Sequence, residues 1–94
     1  MVAPIIVALG GSLLYGDHDV KTWLGQLRQT LVHIEGNGRK IGLVVGGGKP
    51  ARDGINLAKD VVNDRFRLDE IGIAATRLNA TILQKMLQEI GCNV

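Results

Sequence analysis

The sequence predicts an α/β fold: a parallel sheet with helices on both faces, in the order β-α-β-α-α-β. Two short apolar runs, residues 1–9 and Ile41–Val45, have the length and composition of strands, and each ends in glycines. Each run is followed by a segment whose apolar residues recur every three or four positions, as on one face of a helix. This alternation implies crossover connections and therefore parallel strands. The 94 residues allow one small domain.

The first strand is expected to be buried on both faces, because its residues are nearly all apolar. Pro4 cannot donate a hydrogen bond to a ladder, so the first residues should lie at an edge or outside the sheet. After a loop, Asp17 or Asp19 would cap the first helix, since a carboxylate accepts hydrogen bonds from first-turn N–H groups.

The first helix is predicted from an apolar stripe formed by Val20, Leu24, Leu27, Leu31 and Ile34. It should stop at residues 36–38, where Gly and Asn tolerate the left-handed backbone of a C-cap. Gly25 lies inside this helix, where glycine is unfavourable, and this indicates close packing at that position.

The second helix is predicted to end near Asn63, with a stripe formed by Ala51, Ile55, Ala58 and Val62. After a short polar link, residues 64–67, the third helix should begin near Leu68 or Asp69. Its apolar face is predicted at Leu68, Ile71, Ala75, Leu78, Ile82, Met86 and Ile90. Gly91 would stop this helix, and residues 92–94 would begin a further strand.

Three consecutive glycines, residues 46–48, join the second strand to the second helix. Without a Cβ, they let the backbone approach a ligand closely, and the N-terminus of the following helix attracts anions. Lys49 and Arg52 add cationic donors, and Pro50 suits the first turn of a helix. The stretch indicates a phosphate site; the alternative is a tight turn with a solvated lysine and arginine. The spacing fits neither the Walker loop nor the dinucleotide fingerprint.

A second glycine turn, formed by Gly10, Gly11 and Ser12, ends the first strand. In open parallel sheets, ligands bind beyond the carboxyl ends of the strands, and both glycine turns occupy that position. Two such turns facing each other strengthen the prediction of a ligand that carries phosphate.

The composition limits the classes of binding partner and the cellular compartment that we expect for this protein. The net charge is only +2, without a basic run or an aromatic platform, so we expect no nucleic-acid partner. No segment approaches the ~20 apolar residues that span a bilayer, and residues 1–9 lack the charged start of a signal peptide. Cys92 is the only cysteine, which fits a reducing, cytoplasmic environment. His18 and His33 have no carboxylate or cysteine at metal-ligand spacing, so no protein-held metal is expected.

Three stretches together resemble the amino-acid-kinase fold and, within it, the archaeal-type uridylate (UMP) kinases. They are VALGGSLL at residues 7–14, VVGGGKPAR at 44–52 and LDEIGIAATRLNATIL at 68–83. The first two occur across the superfamily, whereas the third, with its TRLNA run, points to UMP kinases. The resemblance implies that residues 1–94 are the N-terminal, UMP-side part of the domain, with the C-terminal, ATP-side half absent.

The resemblance implies that the γ-phosphoryl group of ATP is transferred to UMP, with Mg²⁺ held mainly by the phosphates. Backbone groups along the ATP phosphates are implied at Gly10, Gly11, Ser12 and Gly48. Gly47 would meet the UMP phosphate through its backbone, and Asp69 would accept hydrogen bonds from UMP, from its ribose hydroxyls. Arg52 would bind the phosphates at the reacting centre as the catalytic residue.

Other interpretations of these residues stay open. Arg52 could be a surface residue, and Asp69 could be a helix N-cap or an acid of the first turn. Arg77 and Asn79 lie beside the predicted stripe and could serve a subunit interface or a buried hydrogen bond. Family members form hexamers, so a homo-oligomer is one option, although the stripe of the third helix fits intramolecular packing equally well.

Two features are atypical of a working kinase. Ala8 stands where many superfamily members carry a lysine that offsets charge on the transferred phosphoryl group; Lys49 could partly substitute for it. Family members are also much longer, so a truncated and poorly active form is expected. The alternatives are a non-catalytic nucleotide- or phosphate-binding module, or a kinase of this fold that acts on a small carboxylate or an isoprenoid phosphate.

Overall fold

A computed structural model describes residues 4–16 and 19–92 of the chain. Its elements are β1 (Ile5–Leu9), a 3-10 helix (Gly11–Leu14), α1 (Val20–Gly36), β2 (Ile41–Val45), α2 (Gly48–Ala58) and α3 (Arg65–Glu89). The two strands pair in parallel, with Ile5 opposite Ile41 and Leu9 opposite Val45. The predicted α/β class with a parallel sheet is confirmed. Of the predicted last strand, Cys92 lies in no strand, and residues 93–94 lie outside the described residues, as do residues 1–3 of the first strand.

The hydrophobic core lies between one face of the sheet and helices α1 and α3. It is formed by Leu24, Leu27, Leu31, Val45, Leu83 and Leu87. Leu9, Ile41 and Leu43 pack against it. Because successive side chains of a strand point to opposite faces, these alternate strand residues define the inward face. The apolar stripe predicted for α1 is confirmed by this burial.

The opposite face of the sheet is exposed. Ile6 in β1 is 65% exposed and Val44 in β2 is 56% exposed. The expectation that the first strand is buried on both faces is therefore wrong, because α1 and α3 pack only against the alternate strand residues. Pro4 lies outside the ladder, as predicted.

Helix α1 begins and ends at the predicted signals. The Asp19 carboxylate accepts hydrogen bonds from the N–H groups of Lys21 and Thr22 and from the Thr22 hydroxyl, at 3.0, 3.4 and 2.8 Å. These bonds, the one from the Thr22 hydroxyl above all, lower the pKa of Asp19. Asp17 lies outside the described residues. At the other end Gly38 has a φ of 78°, and its N–H donates to the Glu35 carbonyl.

The predicted start of α3 is wrong. The helix begins at Arg65, because the Asp64 carboxylate accepts a hydrogen bond from the N–H of Phe66 at 3.0 Å and caps it. Residues 64–67 are thus the cap and first turn of α3 and not a link. Asp69 is neither an N-cap nor an acid of the first turn, so that interpretation of Asp69 is also wrong.

Helix α2 ends at Ala58 and not near Asn63, and a turn covers residues 59–61. Val61 and Val62 are β-branched and have low helix propensity, and Val61 is 83% exposed, so little packing favours a longer helix. The predicted stripe of α2 is half-buried throughout.

The buried face of α3 is shifted from the predicted one: of its four buried residues, only Ala75 belongs to the predicted stripe. Its buried residues are Ala75, Asn79, Leu83 and Leu87, whereas Leu78 is 51% exposed. The prediction of close packing at Gly25 is also wrong, because a Cβ at that position would meet none of the described residues within 4 Å. None of the helices in the described part of the chain has the length and hydropathy needed to cross a membrane.

Candidate phosphate site

The two glycine turns meet at the carboxyl edge of the sheet. The N–H of Gly46 donates to the Leu9 carbonyl at 2.9 Å, continuing the ladder one step beyond the last strand pair. The chain therefore leaves β1 and β2 at the same edge of the sheet. This is the juxtaposition that the sequence predicted for the two turns.

Gly11 and Gly48 are in direct backbone contact. A Cβ at Gly11 would lie 2.5 Å from the Gly46 oxygen and 2.5 Å from the Gly48 nitrogen, which is closer than real Cβ atoms approach. A Cβ at Gly48 would lie 2.6 Å from the carbonyl carbon of Gly11, and Gly48 also has a φ of +58°. Glycine is required at both positions because no side chain fits between the two turns.

Helix α2 begins at Gly48, directly at this contact. Its first N–H groups have no partners within the helix, and they carry the positive end of the helix dipole. Both features favour an anion such as phosphate.

Two cations follow on α2, and they differ in their pairing. Lys49 forms an exposed ion pair with Asp53 one turn further on, so its ammonium group already has a carboxylate partner. Arg52 is exposed and forms no ion pair or hydrogen bond with any described residue. Arg52 is thus the cation of this segment that is available to a ligand, while a compensating role of Lys49 for Ala8 stays a prediction.

Asp69 lies on α3, on a face that reaches the glycine loop. A Cβ at Gly47 would lie 3.7 Å from the Gly72 carbonyl oxygen and 3.7 Å from Cγ2 of Thr76. Asp69, Gly72 and Thr76 are spaced by three and four positions, so they share this helix face. Asp69 is exposed and lies about 4.5 Å along the axis before Gly72.

Asn79 is a site residue whose role the sequence left open between an interface and a buried hydrogen bond. Its side chain is 0% exposed, and its amide nitrogen donates to the carbonyls of Gly46 and Gly47 at 2.8 and 2.9 Å. Its amide oxygen accepts a hydrogen bond from the Tyr15 hydroxyl at 2.7 Å. The buried hydrogen bond is confirmed. The sequence does carry a signal for this burial: Asn79 lies four residues after Ala75 and four before Leu83, and therefore on the same face of the helix.

The main cleft beside the sheet is separate from the glycine turns. A cleft of about 420 Å³ lies between α1, β2 and α3, but mostly apolar side chains line it, and no predicted site residue does. In the described ranges, no three His, Cys, Asp or Glu side chains lie close enough to hold a metal ion. His18 lies outside those ranges.

Comparison with known proteins gives the family. The model of the amino acid kinase family matches residues 3–94, and the chain belongs to that family. Among its relatives, the uridylate kinase of Haloarcula marismortui is 36% identical over 85 residues, which are 90% of this chain and 37% of the relative. The uridylate kinase of Thermoplasma volcanium is 39% identical over 84 residues, 89% of this chain and 36% of the relative. That of Methanopyrus kandleri is 42% identical over 78 residues, 83% of this chain and 34% of the relative.

The chain therefore spans about a third of the length of these relatives.

Proposed function

We propose that residues 1–94 form the phosphate-acceptor part of a uridylate kinase, an enzyme that phosphorylates UMP to UDP with ATP. The observation that carries this proposal is the contact between Gly11 and Gly48. It brings two backbone turns and a helix N-terminus to one rim, where two phosphate groups could lie side by side. The similarity to uridylate kinases of several archaea supports UMP as the acceptor.

Phosphoryl transfer depends chiefly on alignment and on electrostatic stabilisation, because the protein has little covalent chemistry to do. In the proposed arrangement, the backbone of Gly47 binds the UMP phosphate. The ATP phosphates lie along the residues of the first turn and the start of α2, namely Gly10, Gly11, Ser12 and Gly48. Backbone N–H groups suit this task because they are held by the fold before the ligand arrives.

Arg52 would act at the reacting centre. Its guanidinium group carries a permanent charge and can bind two phosphate oxygens at once. The lack of an ion-pair partner for Arg52 among the described residues supports this role, since no local carboxylate competes for it. Mg²⁺ held by the ATP phosphates would offset further negative charge at the transferred group.

Asp69 would select the nucleoside. A carboxylate accepts hydrogen bonds, and the two hydroxyls of a ribose can donate them. Its place on the α3 face that reaches Gly47 supports a position beyond the UMP phosphate, on the side of the sugar.

Calorimetry on the 94-residue chain tests the proposal, with UMP, CMP, ATP and inorganic phosphate as ligands. A UMP-side part should bind UMP more tightly than CMP or phosphate, and ATP poorly. A non-catalytic phosphate-binding module would bind these ligands with little preference for the base. A kinase for a carboxylate or an isoprenoid phosphate would show no preference for nucleoside monophosphates, and either of these two results would contradict the proposal.

A complementation assay tests the reaction itself. The C-terminal part of the Thermoplasma volcanium uridylate kinase is added to this chain, and ADP formation from ATP is followed with and without UMP. We expect ADP formation that depends on UMP and that is lost in Arg52→Ala. Formation of ADP at the same rate without UMP would count against a uridylate kinase.

A further inference from the structure

We infer that Asn79 is a positioning residue: it aims the N–H groups of Gly47 and Gly48 at the ligand, and Tyr15 fixes the orientation of its amide. This inference rests on the proposed function, because it concerns the same backbone groups.

The first step is the pair of hydrogen bonds from Asn79 to the glycine loop. Its amide nitrogen lies 2.8 Å from the Gly46 oxygen and 2.9 Å from the Gly47 oxygen. Carbonyl oxygens only accept hydrogen bonds, so the amide nitrogen and not the amide oxygen must face them. Asn79 thereby holds two consecutive peptide groups with their carbonyls toward α3.

The second step follows from peptide geometry. In a trans peptide the C=O and the N–H point in opposite directions, and no described peptide bond is cis. The Gly46 carbonyl shares its peptide group with the N–H of Gly47, and the Gly47 carbonyl shares its own with the N–H of Gly48. With both carbonyls held by Asn79, the two N–H groups point away from α3. These are the donors proposed for the UMP phosphate and the ATP phosphates.

The third step is the contact of Asn79 with the other glycine turn. Tyr15 directly follows the 3-10 helix Gly11–Leu14, and its hydroxyl donates to the Asn79 amide oxygen at 2.7 Å. This bond keeps the amide from turning over and presenting its oxygen to the carbonyls. One buried side chain thus connects the first glycine turn, through Tyr15, to the second.

Burial makes this connection rigid. Asn79 is fully buried, and no buried side-chain nitrogen or oxygen of the described residues lacks a hydrogen-bond partner. A satisfied polar network in a low-dielectric interior is costly to break, because any group left without its partner loses the full hydrogen bond. The glycine loop, which has no side chains to hold it, takes its conformation from this network.

The decisive variant is Asn79→Asp, which keeps the size of the side chain and replaces its donor by an acceptor. Asn56→Asp is the matched control, since Asn56 is exposed on α2. Tyr15→Phe removes only the hydroxyl that orients the amide. Two measurements are made on each folded variant: the ¹H–¹⁵N signals of the Gly47 and Gly48 amides without ligand, and the affinity for UMP by calorimetry. Thermal unfolding is recorded in parallel.

We expect Asn79→Asp to shift both amide signals and to weaken UMP binding about tenfold or more, which corresponds to about 1.4 kcal/mol. Tyr15→Phe should weaken binding about threefold, in line with the loss of one orienting hydrogen bond. Asn56→Asp should leave both amide signals and the affinity unchanged. A purely structural role would lower the unfolding midpoint and leave the affinity of the folded protein unaltered.

The outcomes separate this inference from the proposed function. If the unmodified chain binds no UMP, the proposed function fails, and the amide signals alone decide whether Asn79 positions the loop. If Asn79→Asp folds and binds UMP like the unmodified chain, the positioning role is overturned while the proposed function stands. If Asn79→Asp does not fold, Tyr15→Phe decides, and unchanged amide signals together with unchanged affinity in that variant overturn the inference.

Discussion

Gly11 and Gly48 lie against each other through their backbones, one after the first strand and the other at the start of α2. This contact fixes the distance between the two turns, and it leaves no room for even a methyl group.

A methyl group at Gly11 should therefore be costly. Gly11→Ala would place a Cβ 2.5 Å from both the Gly46 oxygen and the Gly48 nitrogen, so the turns must separate. We expect a loss of about 1–3 kcal/mol in the free energy of unfolding, the usual cost of overpacking, measured by urea denaturation. UMP binding should weaken as well.

The control for this change is Gly25→Ala in α1. A Cβ at Gly25 meets nothing within 4 Å in the part of the chain that the structure describes, so the substitution adds helix propensity without a clash. It should raise the free energy of unfolding by about 0.5–1 kcal/mol. Equal effects of the two substitutions would mean that the contact between the turns is not as tight as described.

Arg52→Ala should weaken the binding of UMP and of inorganic phosphate about tenfold, because a charge-assisted hydrogen bond to phosphate is lost. Its stability should stay within about 0.5 kcal/mol of the unmodified chain, since Arg52 is exposed and has no ion-pair partner among the described residues. Calorimetry at two salt concentrations measures the affinity and the extent to which salt screens the charge interaction with the ligand. Arg39→Ala is the control, because Arg39 is also exposed but lies at the opposite end of β2. A similar loss in both variants would point to a general effect of net charge.

Asp69→Asn tests recognition of the nucleoside separately from the phosphate. The amide keeps one acceptor oxygen but loses the charge, so we expect weaker UMP binding with unchanged affinity for inorganic phosphate. Glu70→Gln is the control, since Glu70 is the next residue and lies about 100° further around α3. Calorimetry with the two ligands gives the comparison. Loss of phosphate affinity in Asp69→Asn would place Asp69 elsewhere than at the sugar.

Helix α1 should lose its cap at acidic pH. The pKa of Asp19 is lowered, chiefly by the hydrogen bond from the Thr22 hydroxyl, so the folded state favours the ionised carboxylate. Its stabilising effect is complete above the ordinary aspartate pKa and is lost as the pH falls through the lowered one.

Thermal unfolding of Asp19→Ala across pH 2–7 measures this effect. The difference in unfolding midpoint between the variant and the unmodified chain should be largest near neutral pH. It should shrink toward pH 2, roughly over the pH range in which an aspartate becomes protonated. Asp60→Ala is the control, because it removes a carboxylate from the turn after α2 and leaves the cap of α1 in place. A difference that grows as the pH falls would contradict a cap made by the charged carboxylate.

Much of the fold was predictable because it depends on local chemistry. The strand Ile41–Val45, the cap at Asp19 and the stop at residues 36–38 follow from apolar runs, a short acidic side chain and glycine. The start of α3 was missed because Asp64 and the polar residues after it resemble a link until the capping hydrogen bond to Phe66 is seen.

The candidate site was predictable in part. The meeting of the two glycine turns follows from parallel strands of equal register, so the sequence was enough for it. The pairing of Lys49 with Asp53, which leaves Arg52 without a partner among the described residues, was missed because several spacings on α2 allow such a pair. The sequence left the role of Asn79 open and placed Leu78 on the apolar face, because an apolar residue is normally the better guess for a core.

By itself, the sequence determines β2, the cap and the end of α1, and the position of two glycine turns at one end of a parallel sheet, because each follows from neighbours a few residues apart. Only the tertiary structure decides that Asn79 is buried, that Tyr15 orients it and that the glycine carbonyls point toward α3. These depend on groups that are 64 and 33 residues apart in the chain, and only packing brings such groups within hydrogen-bonding distance.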